Sequence, residues 1–129
     1  MALTIVNRTR GDSVVCARTE VADTFWRRLR GLQFRASLAP GDGMLFRGEG
    51  SIHSAFMRFR FDAVFMDREL RVIALAERIP PWRARAARGA RNTLELAAGE
   101  ISRTGLAIGD LLAEIEGRDG DPVSGTPTS

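Results

Sequence analysis

The amino-acid sequence predicts a mainly β fold, at the margin of the α+β class, as a small single-domain β-sandwich or barrel with two short helices. Seven or eight short apolar or alternating segments are separated by turn-forming glycine, proline and aspartate at close spacing. Strand and helix patterns do not alternate as a parallel sheet requires, and no internal repeat is visible. The length of 129 residues leaves room for one compact domain.

The first third of the chain predicts two strands and a helix. The stretches "LTIV" and "SVVCARTEVA" are rich in β-forming residues, and the turn-like "RGD" at 10–12 lies between them. In "DTFWRRLRGL", Asp23 suits a helix N-cap and Gly31 suits the residue after the helix, with apolar residues at helical spacing between them. We therefore expect a short helix from Thr24 to Arg30.

The middle of the chain predicts a buried strand and a hairpin. Turn residues at 40–43 precede the apolar segment 44–46, and a second turn, "RGEGS", leads into "HSAFMRFRFD" at 53–62. In "AVFMDRELRVIALA" an apolar run, a polar turn at 67–69 and a strand from Leu70 to Ala76 indicate a hairpin.

The last third predicts a loop, a strand, a helix and a final strand. Residues 77–91 include "PPWRARAARGAR", whose prolines and mixed arginine and alanine argue against a strand or a helix. The segment "NTLELA" alternates as a strand, "AGEISRTG" predicts a short helix ending before Gly105, and "GDLLAEIE" predicts a strand. We expect one domain over 1–116 and a disordered tail over 117–129, which has almost no apolar residues.

Composition indicates a soluble protein of modest charge. All 19 basic residues are arginine, which raises the calculated pI to 10.8 although the net charge is only +3. No run of about 18 apolar residues and no export signal is visible. We therefore expect a cytoplasmic protein without a membrane span, or an exported one if a leader has been removed. The sequence does not indicate the oligomeric state.

The stretch "HSAFMRFRFD" holds the chain's one histidine and an aspartate at the edge of the interior. An unpaired buried carboxylate costs several kcal/mol, so Asp62 should have a partner, with Arg58 and Arg60 as the candidates on its face of a strand. One histidine and one cysteine make a weak metal site, and we predict neither a metal nor a cofactor. Cys16, His53 and Asp62 could form a nucleophile, base and orienter, but a small buried core residue is the commoner role for Cys16.

An arginine cluster lies in the predicted loop, next to Trp82. It could contact phosphates while Trp82 stacks on a base. The alternative, which we prefer, is a solvated loop in a chain that uses arginine in place of lysine, so nucleic-acid binding is the less favoured function. The cluster comprises Arg83, Arg85, Arg88 and Arg91.

The combination of several segments resembles domain-of-unknown-function family 192. The segments are "VADTFWRRLRGLQFR", "PGDGMLF", "IHSAFMRFRFDAVFMD", "NTLELAAGEISRTGL" and "IGD", and their order and spacing match over about residues 13–116. The resemblance implies a small β-rich domain of no established activity, whose members often follow an export or lipoprotein signal. Relatives usually have proline at the position of Arg60, which implies a bend between two strands there.

Carried over by position, the family's polar signature falls on seven residues without assigned roles: Arg27, Arg30, Arg35, His53, Arg58, Asp62 and Glu95. From residue type we expect four of them to converge near a cleft edged by Met44, Met57 and Phe59: Arg35, His53, Arg58 and Asp62. Such a cleft suits a small anionic or amphipathic ligand. The predicted binding residues are Arg35, His53, Met57, Arg58, Asp62 and Glu95, and none is predicted to be catalytic.

These residues favour a non-catalytic binding or interaction domain, with a small anionic or amphipathic ligand or a peptide as partner. A peptide could add to an uncovered sheet edge through its backbone. The enzyme alternative is a hydrolase or transferase that uses His53 as base and Asp62 as its orienter, which requires the two side chains, or their substrate, to lie within hydrogen-bond reach.

Overall fold

The protein is described from a computed structural model that covers residues 3–21, 38–53, 59–81 and 83–116, without the side chains of Ile52 and His53. The predicted helix from Thr24 to Arg30 and the predicted tail at 117–129 lie outside the described residues.

The described ranges contain nine β-strands and very little helix. A 3-10 turn at Arg8–Arg10 follows the first strand, and one α-helix, α1, spans Glu100–Thr104. The strands are β1 (Leu3–Asn7), β2 (Ser13–Val21), β3 (Asp42–Arg47), β4 (Ser51–His53), β5 (Phe61–Met66), β6 (Val72–Ile79), β7 (Ala84–Ala86), β8 (Asn92–Ala97) and β9 (Leu112–Glu116).

Seven of these strands form one sheet in the order β6, β5, β8, β3, β2, β1, β9. Its neighbouring strands are antiparallel except for β2 and β3, which run parallel. The two outer strands meet where Arg71 bridges Leu111, and the Val72 N–H donates to the Asp110 carbonyl at 2.8 Å. This contact joins the ends of the sheet, which therefore curls into a barrel. The predicted mainly β class is confirmed.

The sheet carries an apolar cluster on each face. The inner cluster fills the barrel with side chains from nearly every strand and from α1, among them Ile5, Leu45, Val64, Leu94 and Ile101. Each such aliphatic side chain contributes roughly 1.5–3 kcal/mol on burial. The outer cluster lies on the opposite face of β3, β5, β6 and β8, and consists of Met44, Phe46, Phe61, Ala63, Phe65, Ile79 and Ala90. The four strands between the clusters are therefore apolar on both faces.

Most of the predicted strands, the hairpin and the helix before Gly105 are confirmed. The prediction of a loop without strands over 77–91 is wrong at two places. β6 continues to Ile79, and Ala84–Ala86 form β7, which pairs with β4 in a separate two-stranded sheet. The side chains of β7 are exposed, so its pairing comes from backbone hydrogen bonds that leave no apolar pattern in the sequence.

The bend predicted at Arg60 is also confirmed. β4 ends at His53, Phe59 lies in a bend, and β5 begins only at Phe61. Both faces of β5 are buried, since Phe61 faces the outer cluster and Val64 faces the barrel interior.

Candidate functional site

Asp62 on β5 is fully buried and is held by backbone groups. Its Oδ1 accepts a hydrogen bond from the Arg78 N–H at 2.9 Å, and its Oδ2 accepts from the N–H groups of Gly99 at 3.1 Å and Ile101 at 2.9 Å. Gly99 is the N-cap residue of α1 at a φ of 94°, and it has no side chain that could cap the helix. Asp62 supplies that acceptor from a neighbouring strand, so its contacts are those of a structural cap.

Of the two candidate partners of Asp62, Arg60 is bonded elsewhere. The Arg60 guanidinium donates instead to the Arg78 carbonyl at 3.2 Å, and its residue is exposed. Backbone N–H groups offset the cost of burying the carboxylate without desolvating a second charge. The other predicted partner, Arg58, lies outside the described residues.

Asp110 is a second buried carboxylate with several donors. The Asn7 amide and the Arg10 guanidinium each donate to its Oδ2 at 2.9 Å, and the Ala107 N–H donates at 3.0 Å. Burial alone raises the pKa of Asp110, but the hydrogen bonds from Asn7, Arg10 and Ala107 and the charge of Arg10 outweigh it and lower the pKa. Asp110 ties the turn before β9 to the end of β1, where the barrel closes.

Glu95, at the centre of β8, is buried without such donors. It lies directly opposite Met44 on β3 and Ala63 on β5, so its side chain faces the outer apolar cluster. Neither Oε1 nor Oε2 has a hydrogen-bond partner among the residues that the structure describes. Burial raises the pKa of Glu95 well above its ordinary value of 4.5. The environment therefore favours the neutral carboxylic acid.

A neutral carboxyl group at this place has specific chemistry. It carries one O–H donor and keeps acceptor capacity, whereas an ionised carboxylate only accepts. A buried acid held neutral can donate a hydrogen bond to a ligand oxygen. Met44 beside it adds a polarisable apolar surface, and Phe46 lies on the same face two residues along β3. The outer face thus combines one polar group with apolar contacts.

The predicted site residues are only partly described. Asp62 and Glu95 are neighbours across two strands but lie on opposite faces, because Asp62 pairs with Leu96, the residue after Glu95. Two residues that were predicted to edge the cleft lie on the side of Glu95: Met44 belongs to the outer cluster, and Phe59 packs against it. A role of Asp62 in binding stays a prediction. The described part of the chain does not include Arg35, Met57 or Arg58, and it does not include the imidazole of His53.

Cys16 is a buried core residue, as predicted. Its Sγ lies in the barrel and donates to the carbonyls of Arg18 at 3.6 Å and Gly41 at 3.4 Å. Burial is the main cause that raises the pKa of the Cys16 thiol. A raised pKa reduces the fraction of reactive thiolate, which argues against a nucleophilic role.

No group of three histidine, cysteine, aspartate or glutamate residues that could hold a metal ion occurs in the described parts of the chain. The arginines of the predicted loop that are described, Arg83, Arg85, Arg88 and Arg91, are exposed. Trp82 lies outside the described residues.

The sequence matches the model of a known protein family. The model of domain-of-unknown-function family 192 (DUF192), described as "Uncharacterized ACR", matches residues 5–113. The chain belongs to this family. The match to the DUF192 model spans the barrel from β1 to the start of β9 and includes Asp62 and Glu95.

A curated sequence relative and a solved structure resemble this DUF192 chain. A UPF0127 protein of Thermococcus sibiricus is 32% identical over 111 residues, which are 82% of this chain and 71% of the relative. A crystal structure of a candidate transcription regulator from Sinorhizobium meliloti 1021 has a TM-score of 0.77 at 25% identity, over 88% of this chain and 94% of the other.

A second crystal structure has the same fold. It is a protein of unknown function from Novosphingobium aromaticivorans, with a TM-score of 0.73 at 23% identity, over 88% of this chain and 84% of the other. Among the residues described for the present chain, no helix is long and apolar enough to cross a membrane.

Proposed function

We propose that this DUF192 chain is a non-catalytic binding domain, and that its ligand is a small anionic or amphipathic molecule that reaches Glu95. The observation that carries the proposal is a fully buried carboxyl group whose two oxygens have no hydrogen-bond partner among the described residues. A buried polar group without a partner lowers stability, so its presence in a native core calls for a role other than stability.

The apolar part of the ligand suits the surroundings of Glu95. Met44, Phe46 and Phe61 on the outer face offer thioether and aromatic contacts. The polar part suits a neutral carboxyl, which donates to a ligand carboxylate or carbonyl oxygen. The predicted residues Arg35 and Arg58 would add positive charge for an anion.

The test is thermal unfolding of the wild type with a series of straight-chain carboxylates and the matching alkylamines. A ligand that binds only the folded state raises the melting temperature. We expect the carboxylates to stabilise the protein and the alkylamines to have no effect. Stabilisation by the alkylamines alone would contradict the proposal, because it would indicate an ionised Glu95 that pairs with a cation.

Two substitutions at Glu95 sharpen the test. Glu95→Gln keeps a hydrogen-bond donor and should retain the carboxylate-induced shift, whereas Glu95→Leu removes the donor and should abolish it. The matched control is Glu114→Gln, since Glu114 is a carboxylate on β9 that pairs with Arg47 on the surface. Arg58→Ala should reduce the shift as well. Equal shifts in the wild type, Glu95→Leu and Arg58→Ala would place the ligand elsewhere.

The other predicted functions have less support. A hydrolase or transferase would need Asp62 to orient His53, but both oxygens of Asp62 accept backbone hydrogen bonds. The Sinorhizobium protein is described as a candidate transcription regulator. In the present chain, nucleic-acid binding would use the exposed arginines of the 83–91 segment.

A further inference from the structure

β7 has one paired edge and one outward edge. It pairs with β4 in the register Ser51 with Ala86, Ile52 with Arg85 and His53 with Ala84. The Ala87 N–H donates to the Gly50 carbonyl at 3.3 Å, so the amides of residues 85 and 87 point towards β4. Because amide directions alternate along a strand, those of Ala84 and Ala86 point away from β4.

The outward edge is open to a partner. Residues 83–86 are exposed, and the two alanines present no bulky side chain to an approaching backbone. Among the described residues, no other strand pairs with this edge. The Arg85 guanidinium donates to the Ala84 carbonyl at 3.0 Å, which uses one lone pair of that oxygen. Sheet edges of this kind readily accept a further strand unless charge or bulk prevents it.

The sequence of β7 and its flanks is strongly positive. From Arg78 to Leu94 the sequence contains five arginines and no aspartate or glutamate. The net positive charge of this segment exceeds the net charge of the whole chain, which is +3, so the remainder of the molecule is net negative. Arg85 and Arg88 lie exposed within or just after β7.

We propose that the outward edge of β7 binds an acidic peptide in an extended conformation, which adds as a third strand to the β4–β7 sheet. The N–H and C=O groups of Ala84 and Ala86 would pair with the peptide backbone, and the arginines would select acidic side chains. A second copy of the chain is a poorer partner, since pairing two β7 edges would bring arginines together. The proposal does not depend on the site at Glu95.

The probe is a short labelled peptide in which glutamate and valine alternate, measured by fluorescence anisotropy against the full chain. The matched probe has lysine in place of each glutamate, and a single-stranded oligonucleotide serves as a third. We expect the acidic peptide to bind and the lysine peptide not to bind. Equal binding of the two peptides would overturn the proposal. Binding of the oligonucleotide without the acidic peptide would also overturn it and assign the arginines to nucleic acid.

Ala86→Pro tests the backbone pairing. It removes an N–H that points outward, so it removes no hydrogen bond to β4, and proline is tolerated at such edge positions. We expect the affinity for the acidic peptide to fall by about tenfold or more. Unchanged affinity in a folded Ala86→Pro variant would overturn the proposal.

Arg85→Glu tests the charge and decides the matter should Ala86→Pro not fold. We expect Arg85→Glu to lower the affinity for the acidic peptide by at least about tenfold. Its matched control is Arg68→Glu, at an exposed position in the turn between β5 and β6, which should leave the affinity unchanged. Equal affinities of Arg85→Glu and Arg68→Glu would overturn the proposal.

Discussion

Asp62 and Glu95 lie on adjacent central strands and are both fully buried, yet their environments are opposite. Asp62 faces the side of the sheet where α1 begins, and three backbone N–H groups donate to it. Glu95 faces the outer apolar cluster, and its carboxyl oxygens have no partner among the described residues. The comparison teaches that burial alone does not define a carboxylate's role, since the donors around it decide whether it stabilises the fold.

The largest expected effect is at Asp62. Replacing it by alanine leaves one buried and two partly buried N–H groups without an acceptor, and we expect Asp62→Ala to lower the free energy of unfolding by about 3–5 kcal/mol. Urea denaturation measures the change. The control is Glu114→Ala, which removes a partly exposed ion pair with Arg47 and should cost about 0–1 kcal/mol. Equal losses in the two variants would remove the distinction between a structural and a surface carboxylate.

Asp110 should behave like Asp62, with a dependence on pH. Because its folded pKa is lowered from 3.8, its contribution to stability is present above that pH and is lost as the pH falls towards the folded pKa. We expect Asp110→Asn to destabilise the protein by about 1–3 kcal/mol at neutral pH. The difference from the wild type should shrink below pH 3.8. A difference that is constant with pH would contradict the contacts of Asp110 with Asn7 and Arg10.

Glu95 should give the opposite sign. An apolar side chain of similar size needs no hydrogen bonds. We therefore expect the free energy of unfolding of Glu95→Leu at neutral pH to equal that of the wild type or to exceed it by up to about 2 kcal/mol. Urea denaturation gives this value too. A loss as large as that of Asp62→Ala would show that Glu95 has a partner that stabilises the fold.

A further prediction at Glu95 concerns the pH dependence of stability, compared with that of the Glu95→Gln variant. The folded pKa of Glu95 is raised, so its contribution is fully present below pH 4.5 and is lost as the pH rises through the folded pKa. Over that window the wild type should lose stability relative to Glu95→Gln by up to about 1.4 kcal/mol per pH unit. Parallel stability curves for the two proteins would contradict the raised pKa.

Much of the fold followed from the sequence because its strands have clear local signals. The hairpin of β5 and β6, the apolar strand β3 and the glycine after α1 were predicted from apolar runs and turn residues. The strand β7 was missed, since its exposed arginine and alanine side chains carry no apolar pattern and only the backbone of β4 defines it.

The candidate site was less predictable, because donors and faces depend on tertiary contacts. The need of Asp62 for partners was clear from its burial, but the N–H groups of Gly99 and Ile101 come from a helix more than 35 residues away in the chain. Glu95 was selected only through the family resemblance. The local signal that could have indicated Glu95 is an acidic residue between two leucines in "NTLELA", a strand that is buried along its whole length.

Among the described residues Glu95 has none of the donors that hold Asp62, so its burial favours the neutral form of the carboxyl group. The most direct test is a titration of the Glu95 side-chain carboxyl by carbon NMR in the intact chain, with Glu95→Gln used to assign the signal. We predict a pKa well above 4.5. A value at or below 4.5 would contradict the claim, because it would mean that the ionised group is hydrogen-bonded or ion-paired in the folded protein.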